Sequence, residues 1–156
     1  MGGYLRRAVF GVGISVVAMA FGYSHSLAAE PPAGCVKEDF ELVVEEAAGS
    51  LRDLNAKNRP LFQEKLRQLK DKRHWSHDEF IEKAKPFVKD EKTEVYDKTT
   101  NELLSAIAAM GQQSAEATEP DCSRMQELRA RMKLLVDTQS AKWTYMFQKL
   151  DTKLAN

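Results

Sequence analysis

From Met125 to Leu154 the apolar side chains recur every third or fourth residue: Met125, Leu128, Met132, Leu135, Val136, Trp143, Met146, Phe147, Leu150 and Leu154. That spacing keeps them on one face of an α-helix, with Arg124, Arg131 and Asp137 off it. The helix would run for roughly 33 residues, about 50 Å. An apolar face that long must be covered along most of its length. The rest of the chain therefore has to supply long helices of its own. Asp121 is placed to cap the start of this segment.

The preceding residues meet that demand. In "CVKEDFELVVEEAAGSLRDLN" the positions Phe40, Val43, Val44, Ala47, Leu51 and Leu54 step by three and four, and Glu38, Asp39 and Glu41 sit where a helix dipole favours negative charge. Gly49 weakens this helix without ending it. The chain is expected to turn near Asn58, with Pro60 opening a second helix, "PLFQEKLRQLKDKR". A third stripe runs through Phe80, Ile81, Ala84, Phe87, Val88, Val95, Tyr96, Thr99, Leu103, Ile107 and Met110, as one helix kinked at Pro86 or as two abutting helices. Gly111 is the expected stop, followed by a polar loop, "GQQSAEATEPD". No stretch alternates with the period of a strand.

The other strong constraint is the cysteine pair. Cys35 and Cys122 are the only two cysteines, and both follow a segment that reads as an export signal. Arg6 and Arg7 supply its positive region, "AVFGVGISVVAMAF" its apolar run, and "SLAA" a cleavage site after Ala28 or Ala29. The arginine pair also suits a twin-arginine signal, though general secretion fits better, and the run is short for a retained anchor. Lipidation of Cys35 in "PPAGC" is the rival to pairing, but Pro32 stands where a lipobox has leucine. In an oxidising compartment the single available pairing is Cys35 with Cys122. Its closed loop is worth about 4–5 kcal/mol in the chain-entropy model. It would also pin the start of the first helix to the start of the last, so that the two run side by side. The acidic opening of one (Glu38, Asp39, Glu41, Glu45) would then lie near the basic opening of the other (Arg124, Arg129, Arg131).

Removing residues 1–29 takes away two arginines and leaves 21 basic against 23 acidic residues, a net charge of −2. That is not the clustered basic excess of a nucleic-acid-binding protein. The densest group of reactive side chains is "KRHWSHDEF", Lys72 to Phe80. Ser76 with Glu79 reads as a capping box, Trp75 with Phe80 as a hydrophobic staple, and Asp78 complements the dipole. His74 and His77 are left as candidate metal ligands, with Asp71 or Asp78 nearby and no further histidine in the mature chain to complete a zinc site. No catalytic set or cofactor motif is apparent. Lys65, Arg67, Lys70, Lys72 and Arg73 form a basic helix that could meet an anionic membrane surface or an acidic partner. The face of Met125, Met132, Trp143, Met146 and Phe147 suits either a core or an apolar binding groove.

The layout, with "WSHDEFIEKAKPFV" and "KWTYMFQKL", resembles small secreted helical proteins of proteobacteria that have no assigned activity. The repeated Leu-Thr-x-x-Gln motif of Spy-like periplasmic chaperones does not occur, and "LVDTQ" is only loosely similar to it. "SLRDLNAKNRPLFQEKL" resembles the secreted chorismate mutases in placing Arg52, Arg59 and Lys65 where that family uses cations to bind a dicarboxylate. That family's Val-Ala-x-x-Lys and Asp-x-x-Arg-Glu patterns are missing here.

The expectation is an all-α protein. Residues 1–29 would be a cleaved signal peptide and residues 30–156 a single domain, an elongated bundle of four to five helices with a long C-terminal helix and one disulfide. It would be periplasmic or secreted, need no cofactor, and act by contact with an envelope protein. The alternatives are a small helical enzyme of the secreted chorismate-mutase type and a periplasmic metal binder using His74 and His77.

Overall fold

The computed structural model of the chain describes residues 35–117 and 121–156. The signal segment expected at 1–29 and residues 118–120 of the expected loop lie outside the described residues. The described part folds as four helices, α1 (Lys37–Lys72), α2 (His77–Val88), α3 (Glu91–Glu116) and α4 (Cys122–Ala155), with no strand among the described residues. Asp121 caps α4 through the backbone N–H groups of Ser123 and Arg124.

α4 is the axis of the bundle. The disulfide joins Cys35 to Cys122 with Cα atoms 5.1 Å apart, a normal span for such a bridge. Trp143 Nε1 donates to Asn55 Oδ1 further along, and the Lys65 ammonium meets Asp151 near the far end. These pairs are 87, 88 and 86 residues apart in sequence. A constant offset means that α1 and α4 run parallel and in register. Contacts from α3 behave oppositely. Asp90 reaches Lys149, Asp97 reaches Lys142 and Thr100 reaches Gln139, so α3 runs antiparallel to α4.

The interior consists of two apolar clusters. At the end away from the disulfide, Phe62, Leu66 and Leu69 of α1, Phe87 of α2, and Met146 and Leu150 of α4 are buried together, with Trp75, Phe80, Ala84, Trp143, Phe147 and Leu154 packed around them. Phe62 meets Trp143 and Phe147 edge-on, at centroid distances of 5.8 and 5.5 Å. At the disulfide end the cluster is Val43, Ala47, Leu128 and Met132, flanked by Phe40, Ile107, Met110 and Val136. The methionine and aromatic face of α4 is thus largely core.

Two expectations need correction, and one left open is resolved. The chain does not turn at Asn58, and Pro60 lies inside the uninterrupted α1. Proline in a helix interior costs about 3 kcal/mol. Burying Phe62, Leu66 and Leu69 against α4 returns roughly 1.5–3 kcal/mol each, which exceeds that cost. The Asn58 side chain also donates to the Leu54 carbonyl at 2.8 Å, back along the helix. Gly111 does not end α3, which continues to Glu116. There is open space around its missing Cβ and its φ is not positive, so it contributes only a propensity penalty of about 1 kcal/mol. The third stripe is carried by two abutting helices rather than one kinked helix: Pro86 sits inside α2, and the break falls at Lys89 and Asp90, both in extended conformation. Val95, beyond the break, is exposed, and so are Ile81 and Val88, which neighbour Phe80 and Phe87 on α2 but fall outside its buried face.

The turn between α1 and α2 explains one of the histidines. His74 has φ 52°, in the left-handed region. Its N–H bonds the Asp71 carbonyl at 3.1 Å, and the Trp75 N–H bonds the Lys70 carbonyl at 3.0 Å. These two bonds make a Schellman motif, whose left-handed position is usually glycine. Histidine tolerates it better than β-branched residues do. A His74→Gly variant is therefore expected to gain about 1 kcal/mol, seen as a rise of a few degrees in the melting temperature. His74→Val should lower it. Equal melting temperatures for the two variants would refute this account of the turn.

Candidate functional site

The most organised polar site lies where α2 ends and α3 begins. Asp90 is the N-cap of α3. Its Oδ1 accepts from the Thr93 N–H at 2.8 Å, and Thr93 Oγ1 accepts from the Asp90 N–H at 2.7 Å. Thr93 is fully buried. The second carboxylate oxygen of Asp90 accepts from the Tyr145 hydroxyl at 2.8 Å and from the Lys149 ammonium at 2.6 Å. That ammonium also donates to the Pro86 carbonyl at 2.6 Å. Pro86 stands in the last turn of α2, where carbonyls lack partners within the helix. One charge on α4 therefore satisfies the negative end of α2 and the capping carboxylate of α3 together.

The electrostatics follow from this geometry. Partial burial pushes the Asp90 carboxyl upward, but the Lys149 ammonium, the Thr93 N–H and the Tyr145 hydroxyl outweigh it and hold the group well below the usual carboxylate range. The same bond to Asp90 raises the pKa of Tyr145. The Lys92 and Lys149 ammoniums lie 4.4 and 4.7 Å from the Tyr145 ring centroid. A tyrosine whose proton is committed to a carboxylate is poorly suited to act as a base or nucleophile. The cluster fixes how α2, α3 and α4 meet. Beside it is an open surface depression of about 480 Å³, lined by Lys92, Tyr96, Ser140, Thr144, Tyr145 and Gln148. Nothing in the single sequence brought Asp90, Tyr145 and Lys149 together, because 55 and 59 residues separate the partners. The Asp90-x-x-Thr93 spacing after Pro86 was the available signal.

The sequence-predicted candidates fall elsewhere. Ser76 and Glu79 form the expected capping box, with bonds of 3.0 and 3.3 Å. The Lys83 ammonium, the Ser76 backbone N–H and the Ser76 hydroxyl draw the Glu79 carboxyl down to about 2. Trp75 and Phe80 both lie against the larger apolar cluster, as a staple requires. His74 occupies the left-handed turn position and His77 the first position of α2, and both are exposed. Among the described residues, no group of three or more His, Cys, Asp or Glu side chains could hold a metal ion.

The basic helix is partly spent within the fold. Lys65 pairs with Asp151 and Arg67 with Glu64. Lys72 and Arg73 donate to the Leu154 and Lys153 carbonyls, at 2.6 and 3.3 Å, and so cap the negative end of α4. The acidic and basic openings of α1 and α4 do not pair across the disulfide end. Glu45 binds Arg52, Arg124 binds Asp121 and Arg131 binds Glu127. Of the three cations singled out by the chorismate-mutase resemblance, Arg52 and Arg59 are exposed and Lys65 is bound to Asp151, so they do not converge on an interior cleft. Comparison with protein-family models, with curated proteins and with solved structures finds no match to this chain.

Proposed function

We propose that the chain is an exported, disulfide-stapled helical protein that acts by contact with a protein partner in the bacterial envelope, in the manner of a chaperone or adaptor. The observation that carries this reading is the placement of large apolar side chains on the outer faces of long helices. Leu42 is 66% exposed and Val95 63%, with Leu61, Leu104 and Leu134 about half exposed. They lie on α1, α3 and α4, where a partner can reach them. Export is supported by the composition of residues 1–29 and by the disulfide.

The test is site-specific photo-cross-linking in intact cells, with the reactive group placed at Leu42, Leu61, Val95 or Leu134. A discrete partner band is expected from at least one of these, and none from the exposed Asp78 at the start of α2. Absence of any captured protein, together with turnover of a small molecule by the purified folded chain, would sink the proposal.

A further inference from the structure

We infer that the Cys35–Cys122 disulfide is a redox-operated clamp: its reduction releases the N-terminal half of α1 from α4 while the other half of the bundle stays folded. Three independent features of the structure lead to this.

The first is where the polar contacts between helices lie. Among the described residues, every hydrogen bond or ion pair from α4 to another helix comes from Gln139 or beyond: Gln139 to Thr100, Lys142 to Asp97, Trp143 to Asn55, Tyr145 and Lys149 to Asp90, and Asp151 to Lys65, with Lys72 and Arg73 on the last turn. Between Cys122 and Thr138 the side-chain bonds of α4 stay local, as in Arg131 to Glu127 and Lys133 to Asp137. The second is the unequal division of the apolar interior. The cluster at the disulfide end buries four side chains, none aromatic, whereas the other buries six, including Phe62 and Phe87.

The third is a gap in α1. No side chain between Ala47 and Phe62 is buried, and that interval contains Gly49 and Pro60. The segment before the gap can therefore leave α4 without disturbing Phe62, Leu66 or Leu69. Local opening of this kind takes place where buried contacts are few. At this end the covalent bond substitutes for the missing cross-helix bonds.

Both cysteines keep part of their surface open to solvent, where a small dithiol can approach. In the step itself, one thiolate of a dithiol attacks a sulfur of the disulfide and forms a mixed disulfide, expelling the other cysteine as a thiolate. The second thiol of the dithiol then displaces the remaining cysteine. The dithiol is oxidised to a disulfide, and its two electrons and two protons reside on Cys35 and Cys122. The opening bares Phe40, Val43 and Ala47 on one side and Leu128 and Met132 on the other.

Hydrogen exchange read by mass spectrometry tests this, comparing the oxidised protein with the protein in dithiothreitol and with the Cys35→Ser, Cys122→Ser double variant. Amides of 38–54 are expected to lose protection by about a hundredfold or more in both reduced states. Those of 62–72 and 142–154 should lose less than about tenfold. Far-UV circular dichroism should show partial loss of helix. Protection lost equally from both halves, or complete unfolding of the reduced or variant chain, would make the bundle one cooperative unit and overturn the inference. Retained protection at 38–54 would overturn it as well.

Discussion

Replacing Leu150 by alanine is expected to destabilise the protein by about 3–5 kcal/mol, lowering the melting temperature by roughly 10–25 °C. Leu150 has no exposed surface and sits on α4 where α1 and α2 both press against it. Leu69 from α1 is almost as deeply buried in the same cluster. Removing the isobutyl group takes away its transfer free energy and leaves a cavity lined by Phe62, Leu66 and Phe87. Those side chains belong to helices already fixed by the Schellman turn and by Lys149, so they have little freedom to close the gap. The cost should therefore lie toward the upper end of the usual range. Leu134→Ala is the control: that residue is half exposed, and its loss should change stability by no more than about 0.5 kcal/mol. Urea titrations of both variants decide the matter. A Leu150→Ala effect as small as the control would mean that the cluster is not the joint of the bundle.

The second large effect is expected at Asp90. Asp90→Ala removes the α3 cap, the acceptor for Tyr145 and the counter-charge of Lys149 in one change. Loss of a cap costs about 0.5–2 kcal/mol, and loss of a hydrogen bond to a charged group about 1.5–3 kcal/mol. Because these terms share one residue they do not simply add, and a total of roughly 2–4 kcal/mol at neutral pH is expected. The pH dependence provides a second readout. The folded-state pKa of Asp90 lies below its ordinary value of 3.8. Its contribution is therefore fully present above that value and disappears as the pH falls through the folded value. The variant and the wild type should differ most at pH 7 and converge below about pH 4. Glu79, Glu64 and Asp121 are shifted the same way and will also weaken the protein in acid. They do so in both proteins, so the difference isolates Asp90. A difference that stays constant from pH 7 to pH 3 would contradict the role given to its charge.

What could be read in the sequence was what local rules decide. The α4 stripe, the Asp121 cap, the Ser76–Glu79 box and the only available cysteine pairing each depend on residues close together or on simple elimination, and each is present in the structure. The misreadings occurred where tertiary contact overrode a local preference. Pro60 carries a local penalty that the packing of Phe62 against Trp143 and Phe147 exceeds. Gly111 is a helix terminator only when the backbone takes up the left-handed conformation, and here it does not. His74 shows the reverse case, a residue that looked like chemistry and serves as a turn. The Asp90 cluster was out of reach because its partners meet only after α3 folds back along α4.

The parallel alignment of α1 with α4 bears on how the chain folds. α3 reaches α4 by folding back over a short connection. α1 meets α4 only across an offset of about 87 residues, and long-range closures of that kind are slow. α3 and α4 should therefore associate first, with α1 docking afterwards onto a surface already formed. Trp143, packed on Phe62, would report that docking in a stopped-flow fluorescence trace. A disulfide formed in advance should quicken it, because the bond performs the chain closure that docking would otherwise have to achieve. Oxidation of the cysteine pair would then set the rate at which the bundle is completed as well as its final stability.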